Sequence, residues 1–334
     1  MKRLLVLLLA MTLMMLSACG NDETPTGSTP TQPLPTDPSV SSQPTVPTAP
    51  TAPTQPWENY ATVSYLPERA NDGVTYTGLP SLPAVEYRVY DPENLLQLST
   101  ERIEHSFGAA ANGEPHHITV DNQKRFDGWG TGALAWDNIS EEKVLYLTFD
   151  CGYAYENLTS QILDILNEKQ IPAAFFCTMG YLKSEPEVVA RMIKEGHSVG
   201  NHSLSHNENS ETLSREKMAL EALAVENYLR VNFGYSSKYF RFPEGTYSEN
   251  AVQMLSSVGY RSVFWSIAYA DWMPAEQLGE EKAFQTVTSR LHPGAVILLH
   301  STSPNNAAIL ADFIDYAIAQ GYQFRSLDDY PGWN

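Results

Sequence analysis

The sequence predicts an α/β fold in which parallel β-strands close into a barrel behind a disordered, proline-rich segment. Two observations support this prediction. Strand-like and helix-like apolar patterns alternate from residue 143 onward, and ten of the chain's 22 prolines lie between residues 21 and 56. Strands that alternate with helices form right-handed βαβ units and a parallel sheet. So many repeats within roughly 190 residues favour a barrel over an open sheet.

Composition sets the class of protein and excludes some partners. The chain has 334 residues, of which 43% are hydrophobic and 18% charged, so it can bury a substantial core. Its formal net charge of -18 argues against nucleic acid and anionic lipid as partners, because phosphate binding requires clustered Lys and Arg side chains. We expect a monomer.

The first 19 residues have the pattern of a bacterial lipoprotein signal peptide. Lys2 and Arg3 precede an apolar run over residues 4–16, which is shorter than the roughly 20 residues of a membrane-spanning helix. The run ends in Leu16-Ser17-Ala18-Cys19, which resembles a lipobox, and the thiol of Cys19 is the expected lipidation site. The alternative is an ordinary secretory signal with an incidental cysteine. We predict an extracytoplasmic protein that is lipid-anchored to the bacterial cell membrane.

Two segments separate the signal peptide from the barrel. Residues 20–56 are rich in Thr, Pro, Ser and Gln, cannot bury enough apolar surface to fold, and are predicted to be a disordered linker. Residues 57–140 show no long helical period and are predicted to be an N-terminal extension packed on the barrel. Within the extension, residues 109–115 indicate a turn and residues 118–120 a short strand.

Residues 141–334 are the predicted catalytic domain. Its apolar runs predict strands over residues 144–149, 173–177, 261–265, 295–299 and 322–324. Helical spacing and capping signals predict helices over residues 158–169, 186–195, 214–231 and 305–319.

Polar residues cluster where the predicted strands end. The clusters contain Asp150, the pair His202 and His206, Arg241, and His300. Each has a structural alternative: a helix cap for Asp150, an ion-pair partner for Arg241, a hydrogen-bonded core histidine for His300. The carboxyl ends of parallel strands meet at one face of a barrel. The presence of all these polar residues at that face therefore predicts an enzyme active site.

Two histidines four residues apart are a weak metal-binding signal on their own. If residues 202–206 form a helical turn, the two imidazoles point the same way and can bind one divalent cation. The alternative is a pair of polar surface residues.

With these motifs in place, the stretch from about residue 98 to residue 329 resembles the NodB-homology polysaccharide deacetylases, carbohydrate esterase family four. Within that family it is similar to the PdaA-like branch, the delta-lactam-biosynthetic de-N-acetylases. The matching segments are Thr148–Gly152, His202–His206, Arg241–Gly245, Asp271–Trp272 and Leu298–His300.

The resemblance implies a distorted (β/α) barrel and metal-assisted hydrolysis of an acetamide. It implies that Asp150 is the catalytic base, oriented by Arg241, and that His300 is the catalytic acid, oriented and charged by Asp271. His202 and His206 are implied to hold a divalent metal, with zinc expected. The resemblance further implies that the backbone N–H of Glu244 stabilises the oxyanion and that Leu298, Trp265 and Trp272 wall the acetyl pocket.

One position departs from the family pattern. Cys151 stands where most members have a second Asp that acts as the third metal ligand. Three alternatives follow: the Cys151 thiolate ligates zinc, two histidines bind the metal weakly with water or substrate, or the site works with little metal. Cys151 and Cys177 are expected to be reduced and unpaired.

The branch resemblance favours N-acetylmuramic acid in peptidoglycan as substrate. Alternatives are N-acetylglucosamine polymers (peptidoglycan, chitin-like or exopolysaccharide) and a non-catalytic glycan-binding module. Retention of both proton-transfer candidates, Asp150 and His300, argues against the binding module.

Overall fold

The computed structural model describes residues 59–105, 108–207 and 212–333. The predicted signal peptide, the lipidation site Cys19 and the linker over residues 20–56 lie outside the described residues and stay predictions. Within the described ranges no helix combines the length and the apolar character needed to cross a bilayer.

A curled parallel sheet forms the centre of the fold. Its strands lie side by side in the order β10-β4-β5-β6-β7-β9, and β11 adds to β4. The strands are β4 (Val144–Cys151), β5 (Ala174–Cys177), β6 (Ser198–Asn201), β7 (Tyr239–Phe240), β9 (Arg261–Ser262), β10 (Ala295–His300) and β11 (Gln323–Phe324). An isolated parallel bridge between Ile267 and Ile297 links the chain after β9 to β10, so the sheet curls round on itself. This arrangement confirms the predicted distorted (β/α) barrel.

Helices cover the outer surface of the sheet. They are α2 (Leu158–Lys169), α3 (Met179–Ser184), α4 (Pro186–Lys194), α5 (Arg215–Phe233), α6 (Glu249–Ser257), α7 (Glu280–Thr288) and α8 (Pro304–Ala319). The four predicted helices correspond to α2, α4, α5 and α8. Ser214 and Ser303 cap α5 and α8 by accepting backbone N–H bonds.

Toward the end of β4, the side chains of the site and the side chains of the apolar core point to opposite faces of the sheet. Phe149 and Cys151 belong to the apolar cluster between the sheet and the helices, where Phe149 stacks on Phe175 at 5.1 Å between ring centroids. Successive side chains of a strand point to opposite faces. Thr148 and Asp150 therefore face the barrel interior, where both accept hydrogen bonds from the guanidinium of Arg241.

The N-terminal extension contributes three short strands and a helix. Strand β1 (Tyr60–Ser64) pairs antiparallel with β2 (Glu86–Tyr90), and β3 (Ile103–Glu104) pairs antiparallel with β8 (Thr246–Tyr247). Helix α1 spans His117–Trp129.

The strand predicted over residues 118–120 is wrong, because these residues form the first turn of α1. The His116 ring accepts a bond from the backbone N–H of Ile118 at 3.3 Å and so caps the helix. Gln123 and Phe126 are buried on its inner face. The β-branched residues 118–120 favour a strand locally, but burial of this helical face overrides that weak preference.

Gly294, just before β10, provides a test of the packing at the base of the barrel. Its φ is +75°, and a Cβ there would lie 1.9 Å from the carbonyl oxygen of Asp137. Gly321 has a similar φ of +84° with no atom within 4 Å of the added Cβ. We expect Gly294→Ala to lower the free energy of unfolding by about 1–3 kcal/mol more than Gly321→Ala, because only the first substitution overpacks its site. Chemical denaturation of both variants measures the difference, and equal losses would contradict this account.

Candidate active site

One cleft collects the residues that end the parallel strands. Asp150, His202, His206 and His300 all line this cleft, whose volume is about 890 Å³. Asp150 ends the inward face of β4, the two histidines follow β6, and His300 ends β10. The structure therefore brings together the side chains that the sequence places at separate strand ends.

A buried ion pair lies beneath the floor of the cleft. Arg241 is fully buried and donates from Nη1 to Asp150 Oδ1 at 2.8 Å. Three further donors are directed to Thr148 Oγ1 at 2.9 Å and to the carbonyl oxygens of Val263 and Phe264 at 3.0 and 3.1 Å. Because the guanidinium is held by four acceptors, it fixes the carboxylate of Asp150 in one orientation.

The charge state of Asp150 follows from its neighbours. Burial raises the pKa of this carboxyl, but the charges of Arg241, His202 and His300 and the hydrogen bond from Arg241 outweigh burial and lower the pKa below its usual range. Burial also lowers the pKa of Arg241, against the opposing effect of the Asp150 carboxylate. An arginine nevertheless stays protonated at neutral pH, so the pair is ionic.

The histidine pair is held by a loop. Residues 202–206 do not form the helical turn on which the sequence argument was conditional, since Ser203 and His206 have positive φ angles of 72° and 50°. Ser203 Oγ accepts from the backbone N–H of His206 at 2.9 Å, which folds the loop back. The two imidazole rings nevertheless meet, with centroids 4.9 Å apart.

His202 has the protonation state that a metal ligand requires. Its Nδ1 lies 2.9 Å from the carbonyl oxygen of Arg241, which can only accept, so Nδ1 carries the proton and Nε2 has a free lone pair. Nε2 lies 3.5 Å from Asp150 Oδ2. Burial lowers the pKa of His202 to about 4 despite the opposing charge of Asp150. The ring is therefore neutral at physiological pH, and metals bind neutral imidazole.

The described part of the chain offers a partial metal-binding set. No group of three or more His, Cys, Asp or Glu side chains within it has the geometry to hold a metal ion. The pair His202 and His206 fits a divalent cation by chemistry and proximity but does not complete a coordination sphere.

Cys151 lies away from the cleft. Its side chain is fully buried in the apolar cluster between the sheet and the helices, and it is not among the residues that line the cleft. Its partner in register on β5 is Cys177, and both are free thiols. Burial raises the pKa of Cys177, and a hydrogen bond with Cys151 adds to this effect. The position of Cys151 thus gives no support to direct thiolate ligation.

His300 is paired with a buried carboxylate. Asp271 Oδ1 lies 2.7 Å from His300 Nδ1, and Asp271 Oδ2 accepts from the His300 backbone N–H at 2.8 Å and from Asn306 Nδ2 at 2.5 Å. Burial lowers the pKa of His300, but the charge and hydrogen bond of Asp271 and the charge of Asp150 outweigh burial and raise it above its usual value. The ring is therefore biased toward the protonated form.

The remaining predicted site residues also line the cleft. Trp265 and Leu298 are buried and form a small apolar cluster with Ala268. Trp272 is 40% exposed, and its ring centroid lies 5.8 Å from that of His300. Glu244 is exposed and lies in the turn after β7, with a positive φ of 55°.

Several residues that line the cleft were missed by sequence reasoning. From the N-terminal extension these are Arg102, Glu104 and His105, and from the barrel loops they include Tyr153 and Met273. His105 is buried, with Nε2 2.5 Å from the carbonyl oxygen of Trp265. Strand β3, which holds this segment in place, is two residues long and has no apolar alternation, so no local signal could have revealed it.

Comparison with known proteins agrees with the predicted fold and family resemblance. A family model described as polysaccharide deacetylase matches residues 137–263. An uncharacterized 30.6 kDa protein of Geobacillus stearothermophilus is 44% identical over 189 residues, covering 56% of this chain and 71% of that protein. The peptidoglycan-N-acetylmuramic acid deacetylase PdaA of Bacillus subtilis is 37% identical over 191 residues, covering 57% of this chain and 72% of that protein.

Solved structures show the same architecture. The structure of Bacillus subtilis PdaA, a family 4 carbohydrate esterase, matches with a TM-score of 0.66 and 33% identity over 70% of this chain and 98% of that chain. A family 4 carbohydrate esterase from Bacillus anthracis matches with a TM-score of 0.57 and 33% identity over 71% of this chain and 99% of that chain.

The pairing of Asp271 with His300 can be tested directly. We expect Asp271→Asn to lower the pKa of the His300 imidazole, because the substitution removes the charge that favours its protonated form. NMR titration of the His300 ring measures this pKa. Asp315→Asn is the control, since Asp315 is an exposed carboxylate paired with Lys169 and should leave the His300 titration unchanged. A His300 pKa that stays the same or rises in Asp271→Asn would contradict the proposed coupling.

Proposed function

This chain belongs to the polysaccharide deacetylase family of hydrolases, and we propose that it removes acetyl groups from N-acetylmuramic acid in peptidoglycan. The observation that carries the proposal is the meeting, in one cleft, of a carboxylate, an imidazole pair and a further imidazole. Arg241 and Asp271 are buried and pair with the carboxylate and with the single imidazole. The similarity to the Bacillus subtilis N-acetylmuramic acid deacetylase supports the choice of sugar.

Asp150 acts as the general base. An amide is a poor electrophile, so the attacking water must lose a proton as it forms its bond to the acetyl carbon. The lowered pKa of Asp150 keeps its carboxylate available for that proton at neutral pH. Arg241 touches the base and not the substrate, so it is a positioning residue.

His300 acts as the general acid. When the tetrahedral intermediate collapses, the carbon–nitrogen bond breaks and the sugar nitrogen must gain a proton to leave as an amine. The raised pKa of His300 keeps this proton in place, and Asp271 both orients the ring and stabilises its charge. The products are acetate and a free amino sugar.

His202 and His206 would hold a divalent cation, and zinc is the expected metal because its preferred ligands include imidazole nitrogen. A cation bound there would supply Lewis-acid chemistry, which polarises a carbonyl and makes a water molecule more acidic. The neutral, correctly tautomerised ring of His202 supports this assignment. Of the three alternatives opened by Cys151, the arrangement favours weak binding by two imidazoles.

The walls of the cleft select the acetyl group and the sugar. The backbone N–H of Glu244 stabilises the oxyanion. Trp265 and Leu298 form the apolar pocket for the acetyl methyl group, and the exposed ring of Trp272 offers a stacking surface for the sugar.

The biological setting follows from the substrate and the N-terminal motif. Peptidoglycan lies outside the cytoplasmic membrane, so the enzyme acts in an extracytoplasmic location. We propose that Cys19 carries the lipid anchor, that residues 20–56 tether the monomeric enzyme to the membrane, and that the extension (57–140) and the catalytic domain (141–334) fold as one unit. Pairing of β3 with β8 supports that last point.

Deacetylation can be tested with purified peptidoglycan. We expect the wild-type protein to release acetate and to leave free amines on muramic acid, with the rate reduced by a chelator and restored by zinc. Asp150→Asn should lower the rate by at least about 100-fold, because it removes the general base. Acetate assay and mass spectrometry of the digested glycan provide the measurements.

The control for that experiment is Asp315→Asn, which should retain wild-type activity. Free amines on glucosamine alone would replace N-acetylmuramic acid by N-acetylglucosamine as the substrate. If wild type and Asp150→Asn both bind glycan and neither releases acetate, the chain is a glycan-binding module.

Measurements of zinc affinity test which side chains are metal ligands. We expect His206→Ala to weaken zinc binding by at least about tenfold, the equivalent of about 1.4 kcal/mol, since it removes one of two imidazoles. Cys151→Ala should leave the affinity unchanged, because its sulfur is buried on the opposite side of β4. Titration calorimetry measures the zinc affinity of both variants. A loss of affinity in Cys151→Ala comparable to that in His206→Ala would indicate that the Cys151 thiolate is a zinc ligand.

A further inference from the structure

His105, which follows β3, connects two walls of the cleft. Its backbone N–H donates to the carbonyl oxygen of Gly245 at 3.0 Å, in the turn that carries Glu244, and its Nε2 lies 2.5 Å from the carbonyl oxygen of Trp265. The imidazole and the Trp265 indole are perpendicular, with ring centroids 5.0 Å apart. His105 is only 2% exposed, so these contacts are shielded from water.

Hydrogen bonds at both ring nitrogens fix the tautomer and the orientation of His105. A carbonyl oxygen can only accept, so Nε2 carries the proton and Nδ1 accepts from Asn122 Nδ2 at 2.8 Å. Asn122 Oδ1 in turn accepts from the hydroxyl of Tyr247 at 2.7 Å and from Arg125 Nη1. Burial lowers the pKa of His105 to about 4, so the ring with one donor and one acceptor is the form present at neutral pH.

The two walls are in direct contact at Gly245. This residue has a φ of +70°, and a Cβ there would lie 2.5 Å from Cη2 of Trp265 and 3.1 Å from the carbonyl oxygen of His105. The indole is therefore packed against the turn with no room for an additional methyl group. In a close-packed wall of this kind, a change in the position of the indole changes the space beside it.

We propose that His105 is a positioning residue that sets the width of the acetyl pocket by holding the Trp265 indole against the turn of Glu244. The inference rests on the proposed function, in which Trp265 and Leu298 enclose the acetyl methyl group and the backbone N–H of Glu244 stabilises the oxyanion. It deepens that function by naming a residue that determines which acyl group is accepted. His105 acts through Trp265 and the turn, and not on the acyl group itself.

Loss of the imidazole would release the Trp265 wall. The Trp265 carbonyl would become a buried acceptor without its donor from His105, which is costly, so the backbone would relax toward another donor and carry the indole with it. An acetyl group would then be held less accurately for attack, whereas a propionyl group, which is longer by one methylene, would fit better. The ratio of the rates for the two acyl groups therefore measures the width of the pocket.

The test compares N-acetyl and N-propionyl forms of one oligosaccharide with the full-length protein. The oligosaccharide contains whichever amino sugar the wild-type protein deacetylates, so the inference does not depend on the identity of that sugar. We expect wild type to favour the acetyl form in kcat/KM by at least about tenfold, the discrimination typical of one methylene in an apolar pocket.

His105→Phe keeps the bulk of the ring and removes both of its hydrogen bonds. We expect it to lower kcat/KM on the acetyl form about 10–100-fold, mainly through kcat, because the reacting groups are misplaced. The acetyl-to-propionyl ratio should fall at least about fivefold. His105→Gln should recover most of the ratio, since an amide can donate to the Trp265 carbonyl and accept from Asn122.

Asn122→Ala provides the same test if His105→Phe does not fold. It keeps the imidazole and removes only the donor to Nδ1, so the ratio should fall by a smaller factor, at least about twofold. Circular dichroism establishes that each variant is folded before its rates are compared.

His292→Phe is the matched control. His292 is fully buried, its Nδ1 lies 2.9 Å from the carbonyl oxygen of Pro293, and burial lowers its pKa to about 4, as it does for His105. It precedes β10 and is not among the residues that line the cleft. The acetyl-to-propionyl ratio of His292→Phe should equal that of wild type. An unchanged ratio in the folded variants of His105 and Asn122, or an equal fall in His292→Phe, would indicate a purely structural role and overturn the inference.

The failure of the proposed function is recognised separately in the wild-type protein. If wild type releases acetate from neither amino sugar, the proposed function is wrong and the inference falls with it. If wild type releases acetate but hydrolyses the propionyl form at the same rate, the deacetylase function stands and the inference alone is overturned.

Discussion

The ion pair between Arg241 and Asp150 constrains every other part of the site. A guanidinium with no exposed surface is stable only if its partners are held in place, and removing one partner of such a pair costs about 3–5 kcal/mol. Three strands must therefore keep their relative positions, because Asp150 lies on β4, Arg241 follows β7, and the carbonyl acceptors follow β9. The Arg241 carbonyl in turn sets the tautomer of His202. Asp150 and His202 are thus positioned by one residue that never enters the cleft.

Much of this site could be predicted from the chain because its motifs are local. Asp150 and His300 lie at the carboxyl ends of β4 and β10, and Arg241 directly follows β7. The carboxyl ends of parallel strands meet at one face of a barrel regardless of the loop conformations. The face of each side chain was harder to predict. Asp150 and Cys151 are neighbours in sequence, yet alternation along β4 places one in the cleft and the other among apolar side chains. A motif comparison that treats both positions as parts of the site has no access to this alternation.

Two other failures have a common physical cause. The strand predicted at 118–120 is part of α1, and residues 202–206, for which a helical turn was considered, form a loop with two left-handed residues. In both places, tertiary contacts decide between conformations of similar local energy. The cleft residues Arg102 and His105 escaped detection for the same reason, since a strand of two residues exists only through its pairing with β8.

The N-terminal extension also determines which fragment of the chain would keep the site intact. The family match begins at residue 137, but His105 and α1 lie upstream of it, and Phe126 of α1 stacks on Phe264 at 4.8 Å between ring centroids. A fragment cut at the edge of the match would leave Phe264 uncovered and the carbonyl of Trp265 without its donor. Transferring the catalytic activity to another protein therefore requires the chain from upstream of β3, because the smallest transferable unit is larger than the segment that the family model matches.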